Sequence, residues 1–560
     1  MGIKQKLELT WIGKEQAVRV EPRILLYDEK RSYGNKLDDN ILIHGDNLVA
    51  LKALEQEYAG KVKCIYIDPP YNTGSMFEHY EDNLEHSIWL NQMKPRLEIL
   101  KGLLREDGFF CCHIDDSEGH YLKLLLDEIF GRQNYLTTLY IRVRYPEKTL
   151  KVDMDFHKEI EQIFVYRKKH GAKPNLDVQE VGLDKFCYYV EEIGQGEEVL
   201  LGGKKVEIFN KDQYKIVKKE GSEYGLKEIW ASGTILDGNS SGRFFRDYLT
   251  GRYEEDGYGV LYKVYDIGDD RYPYRYFTGP KKIGATKGKY YQGIPVKKLE
   301  EDNMTRTIPI NGFYDFAAQF GNCRQEGGVE FRSGKKPEAL LEMILKYFSD
   351  EGDIVLDSFL GSGTTAAVAH KMKRKWIGIE MGEQCYSHCQ TRLSRVIDGD
   401  TSGISESVNW RGGGGYNFYE VPPSLLKKDK YGNWIINKDI YTATAIAAAV
   451  AKYHGFTYHP DEEVFWKQGY SYENDYIFTT DQMITVEYID LLHSEMKSDE
   501  SLLICCPAYQ QGLEERYDNI NIEKIPQSIL DKYDFGVESY NMKINDTVVD
   551  EVATTINEEE

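Results

Sequence analysis

The 560 residues contain no run of 18 or more apolar side chains, so no segment is long enough to cross a bilayer as a helix. The opening stretch, MGIKQKLELTWIG, lacks the apolar core of a signal peptide. Lys6 stands where myristoylation requires Ser or Thr. Nine cysteines occur without a C-x-x-C pair, and four of them form the doublets Cys111-Cys112 and Cys505-Cys506. That pattern excludes a disulfide framework and points to a reducing cytoplasm. Cys385, His388 and Cys389 fit one helix face, but a fourth ligand is missing, so packing is their expected role and no metal is expected. Positive charge is also short: 70 Lys and Arg face 92 Asp and Glu, a net charge of −22. Any nucleic-acid contact must therefore come from local basic surfaces, since phosphate contacts carry most non-specific affinity.

What is present suits a globular protein, with 41% hydrophobic and 13% aromatic residues. The length exceeds one core and predicts three or four domains. Local basic surfaces do occur. Arg142, Arg144, Lys148 and Lys151 form one cluster, and Arg167, Lys168 and Lys169 a second. Arg271, Arg275, Lys281, Lys282, Lys287 and Lys289 form a third, interleaved with Tyr272, Tyr274, Tyr276, Tyr290 and Tyr291. Basic residues among aromatics suit a nucleic-acid groove, and equally a solvated face beside strand tyrosines.

The chain is organised around Asp68-Pro69-Pro70-Tyr71, which follows the apolar run Val62 to Ile67. That run predicts a buried strand, and the motif emerges at its C-terminal end. In open α/β sheets ligands sit at that edge. Two prolines stiffen the corner and remove two amide donors. Asp68 and a nearby carbonyl can both accept from one –NH2 group, and Tyr71 offers a flat face to a planar ring.

Around this motif, strands and helices alternate. Ile41 to His44 predicts a strand, Gly45-Asp46-Asn47 a turn, and Leu48 to Tyr58 a helix that Asp46 can cap. An amphipathic helix to about Arg105, a turn at Asp107-Gly108, a strand Phe109 to Ile114 and a helix Tyr121 to Phe130 follow. Asp115 and Asp116 are expected to serve helix entry. This spacing means βαβ units and a parallel sheet. Glu161 to Arg167 predicts a further strand, after which short strands and glycine turns run to near Gly328.

The α/β pattern returns at Phe331. Phe331-Arg332-Ser333-Gly334-Lys335-Lys336-Pro337 precedes a helix, Glu338 to Phe348, whose N-terminus beside lysine can hold a carboxylate. Ile354 to Phe359 predicts a buried strand leading into Gly361-Ser362-Gly363-Thr364-Thr365-Ala366 and a helix. Glu380 ends the next strand, about twenty residues past the glycines, the spacing of an acid that binds ribose hydroxyls. The glycine pattern alone also fits NAD. Gly412 to Gly415 is expected to be a flexible turn, and Ala443 to Ala451 a helix.

The stretch from Ile43-His44-Gly45-Asp46-Asn47-Leu48 through Asp68-Pro69-Pro70-Tyr71-Asn72-Thr73-Gly74 to His113-Ile114-Asp115-Asp116 resembles the modification (Mod) subunits of type III restriction–modification systems, amino-methylating DNA methyltransferases of the β arrangement. Asp357 and Phe359 lie within D-S-F-L-G-S-G-T-T, which resembles the donor-binding motif of that family, and Trp410 to Leu426 resembles it weakly. The resemblance implies methyl transfer from S-adenosylmethionine to the N6 amine of a flipped adenine in double-stranded DNA. It implies catalytic Asp68, Pro69, Pro70 and Tyr71, with the donor held by Asp46, Phe331, Ser333, Lys336, Asp357, Phe359, Gly361, Gly363, Thr364, Thr365 and Glu380. DNA contacts are expected from Arg142, Arg144, Lys148, Arg271, Arg275, Lys281 and Lys282. A prokaryotic homodimer with a helicase–nuclease restriction subunit as partner is what the resemblance implies, and the cysteines and the lack of a long apolar run add the expectation of a cytoplasmic protein without a membrane partner. N4-cytosine specificity, a stand-alone or other phage-defence methyltransferase, and a non-catalytic DNA-binding subunit stay open.

The expected fold class is α/β: a doubly wound methyltransferase sheet built from two chain segments. The expected domains are an N-terminal arm (1–38), a catalytic half (39–170), a target-recognition domain (171–325), a donor-binding half (326–400) and a C-terminal α/β assembly domain with an acidic tail (401–560).

Overall fold

The computed structural model describes residues 8–16, 19–72, 85–145, 156–180, 182–231, 240–297, 305–331, 334–472, 474–530 and 532. The chain divides into two compact units. One is Leu176–Ile310; the other joins Met1–Asn175 to Asn311–Glu560.

Ten strands form one sheet in the larger unit: β1 (Leu26–Gly34), β2 (Ile41–His44), β3 (Val62–Ile67), β4 (Leu104–Ile114), β5 (Tyr135–Arg142), β6 (Ile160–Arg167), β7 (Phe313–Asp315), β8 (Ile354–Asp357), β9 (Lys375–Glu380) and β10 (Gly415–Glu420). Their spatial order is β1-β10-β2-β9-β8-β3-β4-β6-β5-β7. From β10 to β4 the strands are parallel. β6 runs antiparallel to both its neighbours. All six residues of β3 are buried, as a central parallel strand requires. Val355 and Leu356 of β8 pair with Cys64 and Ile65 of β3, so the two chain segments share one sheet. They also share one core, in which Ile65, Leu97, Phe110, Leu356 and Ile377 are buried together.

The helices that matter for the site are α1 (Asn47–Tyr58), α2 (His86–Leu103), α3 (Asp116–Leu126), α4 (Glu338–Phe348), α5 (Thr364–Lys371) and α6 (Thr391–Ile397). Asp115 caps α3 through the Ser117 amide, so it serves helix entry. Pro337 caps α4, where its missing N–H costs nothing.

Several boundaries differ from those read on the sequence. The first 38 residues are not only an arm, because β1 covers the edge of β10 antiparallel. β10 itself lies beyond residue 400 yet pairs with β2 inside the main sheet. The turn at Asp107-Gly108 is absorbed into β4, where the register slips between Val62↔Leu104 and Cys64↔Phe109. The glycine run is pinned rather than flexible. Gly413 accepts a hydrogen bond from His370 Nε2 at 2.9 Å, and Gly414 accepts from the Asn35 amide at 3.0 Å. Trp376 Nε1 donates to the other nitrogen of His370 at 3.1 Å, consistent with a neutral ring, which burial also favours.

Leu176–Ile310 holds a six-stranded antiparallel sheet. Past β10, the helix Ala443–Tyr453 accompanies a five-stranded sheet whose last three strands, Asp475–Thr479, Ser501–Cys506 and Ile520–Lys524, are parallel. All nine cysteines are buried and unpaired. Among the described residues, no helix is long and apolar enough to cross a membrane, and no cluster suits a metal.

Candidate active site

β3 and β8 are neighbours and parallel, so the residues after each emerge at one edge of the sheet. Asp68, Pro69, Pro70 and Tyr71 leave β3 there. Trp89 Nε1 of α2 donates to the Pro70 carbonyl at 2.9 Å and ties the corner to the core. Asn72 takes a left-handed conformation (φ +57°), which Asn tolerates better than most residues, and donates to Glu118 at 2.6 Å. Thr73, Gly74 and Ser333 lie outside the described residues, as does Lys148.

The Tyr71 hydroxyl lies 2.8 Å from Asp68 Oδ1 and 3.0 Å from Glu161 Oε2 of β6. Lys336 Nζ donates to it at 2.8 Å and lies 2.9 Å from Asp68 Oδ2. The same ammonium is 3.5 Å from Glu161 and 4.9 Å from the centre of the Tyr71 ring. His113 of β4 approaches Glu161 Oε2 with Nε2 at 2.9 Å, and its Nδ1 meets the Tyr66 hydroxyl at 2.8 Å. Burial works to raise the Glu161 carboxyl, but Lys336 and His113 outweigh it and hold it well below the usual range. Burial likewise works to lower Lys336, and Asp68 and Glu161 outweigh it and keep it charged. Burial pushes the Tyr71 hydroxyl far up, with the Asp68 and Glu161 charges adding to it.

Lys336 was expected to meet a donor carboxylate beside the N-terminus of α4. Its ammonium instead points at Asp68, Tyr71 and Glu161. The α4 terminus is already capped, because Glu326 accepts from the Glu338 amide at 2.8 Å. Lys335 is buried and donates to the carbonyls of Arg324, Glu326 and Val329.

The glycine loop lies beside this cluster. Asp46, Asn47, Ser358, Phe359, Ile379, Glu380 and Met381 line a cleft at the ends of β2, β8 and β9. Glu380 accepts from the amides of Gly361 at 2.7 Å and Gly382 at 3.0 Å. Gly361 has φ +57°, and a Cβ there would meet nothing closer than the Phe359 carbonyl at 4.0 Å. Asp46 caps α1 through the Leu48 and Val49 amides, while its other oxygen faces buried Arg96 at 3.2 Å.

Four of the expected donor ligands, Asp357, Thr364, Thr365 and Phe331, make contacts outside the lining of the cleft. Asp357 accepts from the Phe359 amide at 2.9 Å and from Thr365 Oγ1 at 2.6 Å. Burial pushes its carboxyl up to about 7, with the Asp68 and Glu380 charges in the same direction. Thr364 Oγ1 accepts from Arg392 at 2.6 Å, and Arg392 in turn pairs with the buried Glu338 at 2.8 Å. Phe331 packs edge-on against His388, with centroids 5.4 Å apart.

Glu161, His113 and Arg96 were not singled out on the sequence. A weak signal existed for the first two. His113 is the one basic residue in the run Phe109 to Ile114, and Glu161 begins a strand that is otherwise apolar through its centre. Arg96 gave none.

Of the expected DNA contacts in the larger unit, Arg144 is exposed, while Arg142 pairs with Glu159 at 2.9 Å and Asp315 at 3.4 Å. Within Leu176–Ile310, Lys281 and Lys282 are exposed. Arg271 lies over the Tyr224 ring and pairs with Glu223. Arg275 corrects the expectation. It is 2% exposed and bonds Ser241 at 2.6 Å and Asp270 at 2.8 Å, so it serves the interior of that unit.

Residues 62–391 match the family model of N6/N4 DNA methylases. The chain is 35% identical over 414 residues to a Haemophilus influenzae protein named "Probable type III restriction-modification enzyme HindVI Mod subunit", covering 69% of this chain and 54% of that one. It is 28% identical over 419 residues to the EcoPI Mod subunit of Escherichia phage P1, covering 66% of this chain and 61% of that one. It is 28% identical over 494 residues to the EcoP15I Mod subunit of Escherichia coli, covering 76% and 73%. The chain thus spans about half the length of the first of these relatives.

Proposed function

Because the chain belongs to the N6/N4 DNA methylase family, we propose that it transfers a methyl group from S-adenosylmethionine to the exocyclic N6 amine of adenine in double-stranded DNA. The observation that carries this reading is the pairing of β8 with β3, which brings the glycine loop and the Asp68 corner to one sheet edge.

The residues that line the cleft suit the donor in chemistry. Its walls combine an aromatic and aliphatic pair, Phe359 and Ile379, with two carboxylates, Asp46 and Glu380. An adenosyl group needs that mixture of apolar faces and polar contacts to its edge and ribose. When bound, the donor supplies an electrophilic methyl on a sulfonium. Asp46, Phe359 and Glu380 would hold its nucleoside, and the open side of Gly361 lets it approach the backbone.

The chain's own residues prepare the amine. Its lone pair is delocalised into the base ring. Accepting its two N–H hydrogens at Asp68 and at the Pro69 carbonyl restores tetrahedral character. Asp68 keeps capacity for this, because each carboxylate oxygen has two acceptor sites and each accepts one internal hydrogen bond. Fixing the amine in line with the methyl accounts for much of the acceleration, on the order of 7 kcal/mol or more for well-oriented pairs. The base must leave the duplex, at a cost of a few kcal/mol that stacking on Tyr71 offsets in part.

Adenine rather than cytosine rests on the Asp68-Pro69-Pro70-Tyr71 form of the motif. A homodimer, a cytoplasmic setting and a restriction subunit as partner rest on the likeness to Mod subunits. The inserted unit Leu176–Ile310, with exposed Lys281 and Lys282, is the proposed reader of the DNA sequence.

Asp68→Ala tests the reading. Methyl incorporation into unmethylated duplex DNA falls to background, while DNA binding in a gel-shift assay stays within a few-fold of the unaltered chain. Retained methylation overturns the assignment, and nucleoside mass spectrometry showing only N4-methylcytosine overturns the choice of base.

A further inference from the structure

The cluster behind Asp68 contains a carboxylate that the chemistry above does not use. Glu161 sits at the start of β6, two strands from β3, and belongs to neither sequence motif. Three features make it more than a bystander. First, the Lys336 ammonium has three N–H donors and three acceptors around it: Asp68 Oδ2 at 2.9 Å, the Tyr71 hydroxyl at 2.8 Å and Glu161 Oε2 at 3.5 Å. Two carboxylates therefore share one cation. Second, the Tyr71 hydroxyl lies between the same two carboxylates, 2.8 Å from Asp68 and 3.0 Å from Glu161. Third, Glu161 is itself braced across the sheet. His113 Nε2 is 2.9 Å from it, and the Tyr66 hydroxyl fixes the far side of that ring at 2.8 Å. Tyr66, His113 and Glu161 lie on β3, β4 and β6, which are successive strands, so the sheet sets their spacing.

We infer that Glu161 is a positioning residue for the methyl transfer: it holds the Lys336 ammonium between two carboxylates and so fixes the orientation of Asp68 and the Tyr71 ring. Without Glu161, Lys336 has Asp68 as its one carboxylate counter-ion among the described residues. The ammonium, already 2.9 Å from Asp68 Oδ2, is then held by that carboxylate alone and competes harder with the target amine for it, and the Tyr71 hydroxyl loses one of its two carboxylate partners. This rests on the methyltransferase reading and deepens it, since it assigns Lys336 to the amine side of the site instead of the donor's carboxylate. Glu161 never touches the reacting atoms and acts through Lys336 and Tyr71.

The test uses the full chain, tritiated S-adenosylmethionine and long unmethylated duplex DNA of mixed sequence. Glu161→Gln keeps the shape and removes the charge. It lowers kcat about a hundredfold, the size of effect that a misplacement near 1 Å produces, and leaves the KM for donor within about twofold. Lys336→Met lowers kcat by a similar factor, again with donor affinity by calorimetry unchanged. Because the two residues act as one unit, the double variant is no slower than the slower single one. Tyr66→Phe, which removes one brace and no charge, gives a smaller loss in kcat in the same direction. Losses that multiply in the double variant, or a tenfold weaker donor Kd in Lys336→Met, overturn the inference. So does Glu161→Gln at full rate while the unaltered chain methylates. No transfer by the unaltered chain overturns the methyltransferase reading itself, and the inference with it.

Discussion

Leu356 pairs with Ile65 across two parallel central strands that the chain forms from one segment before and one after residues 176–310 in the sequence. Neither segment completes a site alone. The first brings Asp68 and Tyr71, and the second brings Lys336 and the glycine loop. Burial of both strands in one core makes their alignment a property of packing rather than of loops. A site carried on central strands is held more tightly than one carried on connections.

Glu380 both anchors the Gly361 amide and lines the cleft. Glu380→Ala removes charge-assisted hydrogen bonds of about 1.5–3 kcal/mol. Titration calorimetry with S-adenosylmethionine is expected to show a Kd roughly ten to a hundred times weaker. An unchanged Kd would take Glu380 out of the donor site.

Asp357 makes stability depend on pH. Its folded carboxyl titrates at about 7, above the ordinary 3.8, because it is buried. Between those values the folded chain holds a proton that the unfolded chain has lost. The stabilisation is therefore full at acid pH and is lost as pH rises through about 7. From about pH 5.5 to 8.5 this one group removes about 2 kcal/mol. Asp357→Asn abolishes the titration, so the fall in Tm across that window becomes shallower than in the unaltered chain. Parallel curves for the two proteins would show that Asp357 does not titrate there.

The two loop glycines separate backbone strain from crowding. Gly363 caps α5 at φ +80°, and a Cβ there would lie 3.3 Å from the Cys389 Cα. Gly361, at φ +57°, has open space around the same atom. Left-handed backbone costs a non-glycine residue about 1–2 kcal/mol. Gly361→Ala should lower stability by about that amount, and Gly363→Ala by more, in denaturant titrations. Equal losses would mean that the Cys389 contact relaxes freely.

The parts legible in the sequence were those with strong local signals. β3 is a run broken by one lysine, Lys63, and followed by Asp68 and two prolines, and Pro337 marks the start of α4. The edge strands β1 and β10 were not legible. β1 is mostly exposed and polar, and β10 follows a glycine run that reads as a turn. Glu161, His113 and Arg96 were missed for a different reason. Each is a polar residue inside a regular element, and only the pairing of β4 with β6, or the packing of α2 on α1, directs it to the site. The lysine of the donor half shows the same limit, since motif and spacing place Lys336 near the site but not the direction of its ammonium.

In Leu176–Ile310 two kinds of cation make opposite predictions. Arg275 is buried against Asp270, both side chains being 2% exposed. Removing one partner of such a pair leaves an uncompensated buried charge, at about 3–5 kcal/mol. Arg275→Ala should therefore lower stability sharply, and any loss of DNA binding should follow from unfolding. Lys281 and Lys282 are exposed, so replacing both with Ala should leave the unfolding transition in place. If they meet phosphates, DNA affinity falls for every sequence alike. The slope of log affinity against log salt then drops by about two, because each phosphate contact contributes about 0.9 through counter-ion release. An unchanged slope would move the phosphate-binding face elsewhere, with Arg271 over Tyr224 as the next cation to vary.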